Sequence, residues 1–150
     1  MTYKYNLQKV LDYRLKSEDE EHRRLAGLFQ EVDEARAQLN FFREELAYFQ
    51  TEYSSGQKEQ VNVLATMLAS NYITFMNDRI KEQEQLLEKC EGRLKEQIHL
   101  TEKAMKERKT MDTLRDKDYA RYRNELRVSE QRQNDEIACL SHIRVNRNHS

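Results

Sequence analysis

"TEYSSGQKEQ", residues 51–60, is the one clear break in a chain that otherwise spells helix from end to end. Two serines and Gly56 stand between two stretches whose apolar residues recur every three or four positions, and Ser and Gly supply the local hydrogen bonding and backbone freedom of a turn. The fold depends on this decade. Read as a turn, it doubles the chain back, so that the two periodic stretches cover each other. Read as helix, it leaves a single straight helix whose apolar stripe needs a second copy of the chain. The turn chemistry favours the doubled chain.

Composition supports helix on both sides. The 150 residues allow one ordinary domain, but 37% hydrophobic, 35% charged and no tryptophan leave little material for a compact core. The apolar residues must therefore form a seam. There is no proline, and the three glycines are Gly27, Gly56 and Gly92, whereas average usage would place roughly seven prolines in such a chain. Proline breaks helix interiors and glycine weakens them, so their scarcity points to long helices.

Charge and cysteine content narrow the class. A net charge of -1 from 26 basic and 27 acidic residues provides no field that would steer the molecule to nucleic acid or to an anionic membrane. Cys90 and Cys139 are far apart, with no small secreted framework around them, and read as reduced thiols of a cytoplasmic protein. The start, MTYKYNLQKV, lacks the apolar core of a secretory signal. The longest uncharged run, residues 60–77, approaches spanning length, but Gln60, Asn62, Asn71 and Asn77 make it too polar for a bilayer.

The first periodic stretch is regular. Leu25, Leu28, Val32, Ala35, Leu39, Phe42, Leu46, Phe49 and Tyr53 occupy successive a and d sites of a heptad pattern. Run backwards, the frame reaches Leu11 and Leu7 but places Glu21, Glu18 and Arg14 on the seam, a stretch expected to be loosely paired or to face another partner. In the second stretch Ile73, Met76, Ile80, Leu87, Cys90 and Leu94 hold a heptad frame with Gln83 as a polar intruder. Ile98 and Met105 then fit only if the frame advances by four, a stutter that would relax the supercoil.

The expected fold is all-α: an antiparallel two-helix coiled-coil hairpin with a C-terminal helical overhang. It forms a single coiled-coil domain over residues 1–150, with helix one at about 5–53, a turn and connecting segment at about 54–65, helix two at about 66–141 and a frayed, basic tail at 142–150. Helix one runs out as a partner at about residue 115 of helix two. The remaining helical residues overhang, and an unpaired helix frays unless something holds it.

Folding back also collects rings. Phe41, Phe42, Tyr48, Phe49, Tyr53, Tyr72 and Phe75 fall near the hairpin tip, more than one facing helix can cover. Two readings stay open: a wider local core in which helix two and segment 57–68 lie over the rings, and a partner surface, since exposed aromatic clusters typify interfaces.

Catalysis finds no support. There is no glycine-rich phosphate loop, no Ser, His and Asp set and no HExxH run, so neither an enzyme nor a cofactor site is expected. Cys139 and His142 share a helical face but are two ligands short of a structural zinc site, and no metal is expected. The arginines of "DYARYRNELRVSEQR", residues 118–132, interleave with Asp118, Glu125 and Glu130 and read as a solvated face rather than an RNA-binding strip.

Four segments carry a resemblance: "YNLQKVLDYRLKSEDE" (5–20), "FQTEYSSG" (49–56), "SNYITFMNDRI" (70–80) and "KTMDTLRDKDYARYRNELRVSEQRQNDEIA" (109–138). Their order and spacing resemble the FliJ family of flagellar type III export proteins over nearly the whole chain. The resemblance implies a two-helix coiled coil similar to the central stalk of rotary ATPases, seated in the hexameric flagellar export ATPase at the cytoplasmic base of the flagellum, without membrane insertion. The end carrying the chain termini would enter the ring through Leu7, Leu11, Arg14, Tyr119, Tyr122 and Leu126. The opposite end would reach the large membrane subunit of the export gate through Phe42, Leu46, Phe49, Tyr53 and Phe75, with Tyr72 beside them. Arg79 and Glu82 stand where relatives more often have small or apolar residues. The family further implies recycling of export chaperones. Alternative readings within the same architecture are the stalk of a virulence type III secretion system and a holdase whose hairpin tip grips unfolded chains.

Overall fold

The computed structural model describes residues 3–56 and 62–149. The described residues form two helices, α1 (Gln8–Gly56) and α2 (Val63–Asn148). They pack against each other as a helical hairpin, as the periodicity requires. The chain groups into two compact units, one of Asp19–Lys103 and one that combines Met1–Glu18 with Ala104–Ser150.

The helix ends differ from the sequence-based bounds. Ser54, Ser55 and Gly56 continue α1 instead of turning. The Ser55 hydroxyl donates back to the Glu52 carbonyl at 3.0 Å, and the Thr51 hydroxyl donates to that of Ala47 at 2.9 Å. Such back-bonds to the preceding turn let Ser and Thr hydroxyls be satisfied within a helix, so residues that favour turns finish it. Residues 57–61 of the expected turn lie outside the described residues. Helix α2 starts near 63 rather than 66 because Asn62 caps it: its side-chain oxygen accepts from the Leu64 N–H at 3.1 Å, and its carbonyl accepts from the Thr66 N–H at 3.0 Å. The tail expected to fray from residue 142 is helical through Asn148, and residue 150 is outside the described set.

In the unit Asp19–Lys103 the helices run antiparallel, as Arg43 with Glu84 at 2.8 Å and Arg36 with Glu91 at 3.3 Å demonstrate. Every predicted a and d residue of α1 from Leu25 to Tyr53 is buried or half-buried, with Val32, Ala35, Leu39 and Leu46 forming the driest part. Ala69, Met76 and Cys90 face them from α2. The polar intruder Gln83 is accommodated by chemistry, since its side-chain amide donates to the Ala35 carbonyl at 3.1 Å. Further along this unit Gln97 and Thr101 are buried, and the Gln97 amide donates to both the carbonyl and the carboxylate of Glu21.

The unit of the two chain ends has its own version of this seam. Leu11 is fully buried, and Ala104 lies on the facing helix. Glu18, only 8% exposed, accepts from the Arg108 Nε at 2.6 Å, and Arg108 also reaches Asp112 at 2.8 Å. Arg14 pairs with Glu107 at 2.7 Å. The hydrogen bonds to Glu18, foremost, and to Asp112 hold the Arg108 guanidinium even more firmly protonated than usual.

Two expectations are corrected here. Arg14, Glu18 and Glu21 are not loosely paired; each has a partner on α2 within its own unit. The stutter after Leu94 is absent. Gln97, Thr101, Ala104 and Arg108 follow Leu94 in unbroken steps of three and four, and all are buried or half-buried, whereas Met105 is 40% exposed. The heptad continues with polar side chains in its seam positions. A search for apolar residues alone mistakes that change of chemistry for a change of phase.

Two stability measurements check this account. Gly27 and Gly92 lie inside helices with nothing within 4 Å of an added Cβ, so Gly27→Ala and Gly92→Ala should each stabilise by about 0.5–1 kcal/mol in urea unfolding. Arg108→Leu alone should lower the unfolding midpoint by leaving the Glu18 carboxylate buried without its cation, and adding Glu18→Leu should recover or exceed the wild-type midpoint.

Candidate partner-binding surfaces

Near the start of α2 and the end of α1, in the unit Asp19–Lys103, the rings divide into two groups. Phe49 and Tyr72 meet across the helix pair with centroids 4.4 Å apart, and Tyr53 stacks on Phe49 at 6.1 Å. The Tyr53 hydroxyl lies 3.2 Å from that of Thr66. These three are half-buried, and Leu46, at 8% exposed, is part of the core. Phe42 is half-buried beside Phe41, whereas Phe41, Tyr48 and Phe75 are each more than half exposed. Of the six residues assigned to the gate patch, Phe42, Phe49, Tyr53 and Tyr72 are half-buried, Phe75 is exposed and Leu46 is buried.

The apolar residues at the start of α2 stay exposed. Val63, Leu64, Met67 and Leu68 belong to the first two turns of α2 and are among the most exposed apolar side chains of the chain, with Val63 at 71%. Of the described part, 62–68, of the segment expected to lie over the rings, Thr66 reaches the Tyr53 hydroxyl while the four apolar residues stay exposed. The signal for these residues was present in the heptad frame: Ala69, Ile73 and Met76 occupy the seam, and Val63, Leu64, Met67 and Leu68 all fall off it. The Arg79 guanidinium lies 5.6 Å from the Phe42 centroid and 5.4 Å from that of Phe75.

In the unit of the chain ends, a second aromatic group assembles around a residue the heptad frame did not reach. Tyr3 precedes α1, yet its ring lies 5.0 Å from Tyr119 and 5.1 Å from Tyr122, and its hydroxyl donates to Asp118 at 2.7 Å. Burial against these rings, followed by the hydrogen bond to a carboxylate, pushes the Tyr3 phenol up to about 12. Of the residues assigned to the ATPase contact, Leu11 is core and Arg14 is paired with Glu107, while Leu7, Tyr119 and Leu126 are each more than two-fifths exposed. Tyr122 is half-buried, and from Arg123 to His149 every residue is exposed. The arginines here are locally engaged: Arg121 bonds Asp118 at 2.9 Å, and Arg123 lies over the Tyr119 ring.

Neither surface is a concave, enclosed site of the kind acid-base chemistry needs. Among the described residues no group of three or more His, Cys, Asp or Glu could hold a metal ion, and no helix is long and apolar enough to cross a membrane.

A hairpin of two packed helices is the architecture implied by the resemblance, and the comparison with family models decides the matter: the model described as flagellar FliJ protein matches residues 3–147. The chain belongs to the FliJ family. It is accordingly a component of the flagellar type III export apparatus, in a family whose members act there without catalysing a reaction. No curated protein and no solved structure matches the chain with significance.

The Tyr3 contact can be followed by alkaline titration. Because the folded chain holds the phenolic proton more tightly than an ordinary tyrosine of pKa 10.0, the contact is intact below pH 10.0 and is lost as the pH rises toward about 12. Ultraviolet phenolate absorbance should contain a late step near pH 12 that Tyr3→Phe removes.

Proposed function

We propose that this FliJ-family chain is the central-stalk-like subunit of the flagellar export ATPase, promoting assembly and activity of its hexameric ring and coupling the ring to the large membrane subunit of the export gate. On this reading it works in the cytoplasm, peripherally associated with the membrane at the flagellar base, and also recycles export chaperones that have released their cargo. The observation that carries the proposal is the surplus of apolar surface. The seam of Asp19–Lys103 is complete without Phe41, Tyr48, Val63, Leu64, Met67, Leu68 and Phe75, and all of them remain exposed. Exposed rings and aliphatic side chains in such density are costly in water and are typical anchors of protein interfaces.

The two surfaces would take different partners. Phe42, Phe49, Tyr53, Tyr72 and Phe75 serve the gate, and Leu7, Tyr119, Tyr122 and Leu126 serve the ATPase. The exposed start of α2 also suits a holdase that grips unfolded chains.

Purified chain should raise the rate of ATP hydrolysis by the export ATPase and saturate near one chain per ring. Tyr119→Asp with Leu126→Asp should abolish that effect. Phe49→Ala with Tyr53→Ala should preserve it while weakening gate binding by more than about 2 kcal/mol, with helicity by circular dichroism unchanged. Suppressed aggregation of unrelated unfolded proteins, with no effect on the ATPase, would favour the holdase instead.

A further inference from the structure

Arginines that flank the seam of Asp19–Lys103 are generally paired. Arg36 reaches Glu91 at 3.3 Å, Arg43 reaches Glu84 at 2.8 Å and Arg93 reaches Glu31 at 3.9 Å. Arg79 is the contrast. It is exposed on α2, and among the described residues it has no carboxylate within ion-pair distance. Instead it is shared by two rings from two helices, Phe42 of α1 and Phe75 of α2.

A guanidinium held in this way is prepared for one kind of contact. Ring faces take up its π surface, which is only weakly hydrated, while the N–H donors lie in the guanidinium plane and stay available to an acceptor approaching edge-on. Holding the side chain between rings removes much of the rotamer freedom that an ordinary exposed arginine would lose on binding. Gln38, Glu82, Leu86 and Lys89 line the groove that Phe42 and Arg79 share, and its charged groups, Arg79 and Lys89 against Glu82, leave it net positive. Phe75, 55% exposed, places apolar surface directly beside the cation.

We propose that Arg79, braced by Phe42 and Phe75, is a docking point for an acidic side chain of the protein that this end of the hairpin contacts. The partner segment presents an Asp or Glu carboxylate to the guanidinium edge, in the bidentate geometry that arginine favours, with an apolar neighbour against Phe75. The inference rests on the gate-contact reading given above and supplies its polar anchor, which sets specificity where the rings set affinity.

Binding of the detergent-solubilised large membrane subunit of the export gate to the full-length chain tests this at two salt concentrations, with unfolding midpoints recorded for each variant. Arg79→Gln should weaken binding about tenfold or more and flatten its salt dependence; Arg79→Lys, which keeps the charge and loses the fork, should fall between the two. Midpoints should shift little. Binding of Arg79→Gln within about twofold of wild type, while Phe42→Ala and Phe75→Ala weaken it, leaves the gate contact standing and overturns the carboxylate anchor. A loss of affinity matched by a large fall in midpoint, with the salt dependence unchanged, also overturns it, since Arg79 then acts only by supporting the rings. Absence of any binding by the wild-type chain removes the gate reading and this inference together.

Discussion

A helix with so much charge and so few apolar residues has little reason to persist alone in water, because nucleation is unfavourable and most helical stability in proteins comes from packing. The seam between α1 and α2 is therefore the constraint from which the rest follows. In Asp19–Lys103, Val32, Leu39 and Leu46 on one side and Ala69, Met76 and Cys90 on the other are buried to below a tenth exposed. The spacing that buries them also determines which residues are left out. Every side chain outside the three-four frame must meet solvent or a partner, so the frame that builds the hairpin also defines its binding surfaces.

Polar residues within the seam have a different role from the apolar ones. Gln83 to the Ala35 carbonyl, Gln97 to Glu21, and in the other unit Arg108 between Glu18 and Asp112, are directional contacts with one satisfactory geometry each. Leucine packed against leucine tolerates a slip of one heptad at modest cost. A slip here would strand an amide or a carboxylate inside the contact, where an unsatisfied polar group is expensive. Polar seam residues are attested as devices that fix register in coiled coils at some loss of stability, and their hydrogen bonds suit them to that purpose in this chain.

How much of this was readable in advance follows from the same distinction. Apolar periodicity identified the helices and the seam from Leu25 to Tyr53, because the hydrophobic term is large and recurs with the period of the helix, while the antiparallel pairing came from the break at residues 51–60. Periodicity failed where the seam became polar. Gln97, Thr101 and Arg108 hold the frame by hydrogen bonds to specific residues of α1, and such pairing leaves no trace in a one-dimensional hydropathy pattern. The helix ends were misplaced for a related reason. Ser55 has the composition of a turn and the hydrogen bond of a helix terminus, and Asn62 caps α2 from within a run read as connection. Tyr3 was missed because its ring contacts come from residues more than a hundred positions away, outside any helical frame.

The candidate surfaces show where folding and binding make opposite demands on one residue type. An aromatic ring on the seam is wider than the hole a facing helix offers, so Phe49 is stabilised by Tyr72 and Tyr53 yet stays half-buried. A leucine there would pack better against α2 and present less to anything outside. Folding alone therefore does not explain Phe42, Phe49 and Tyr53 at seam positions that Leu or Ile would fill more tightly. Nor does it explain Val63, Leu64, Met67 and Leu68, which stay exposed on the capped first turns of α2. Both groups contribute surface that another protein can bury, and both lie in the same unit. Arg79 adds polarity to that surface without disturbing the seam, because its cation is held by rings that the helix pair already positions. The hairpin thus spends its most regular packing on holding two helices together and leaves its least regular packing, in ring size and in charge, where contact with another protein requires it.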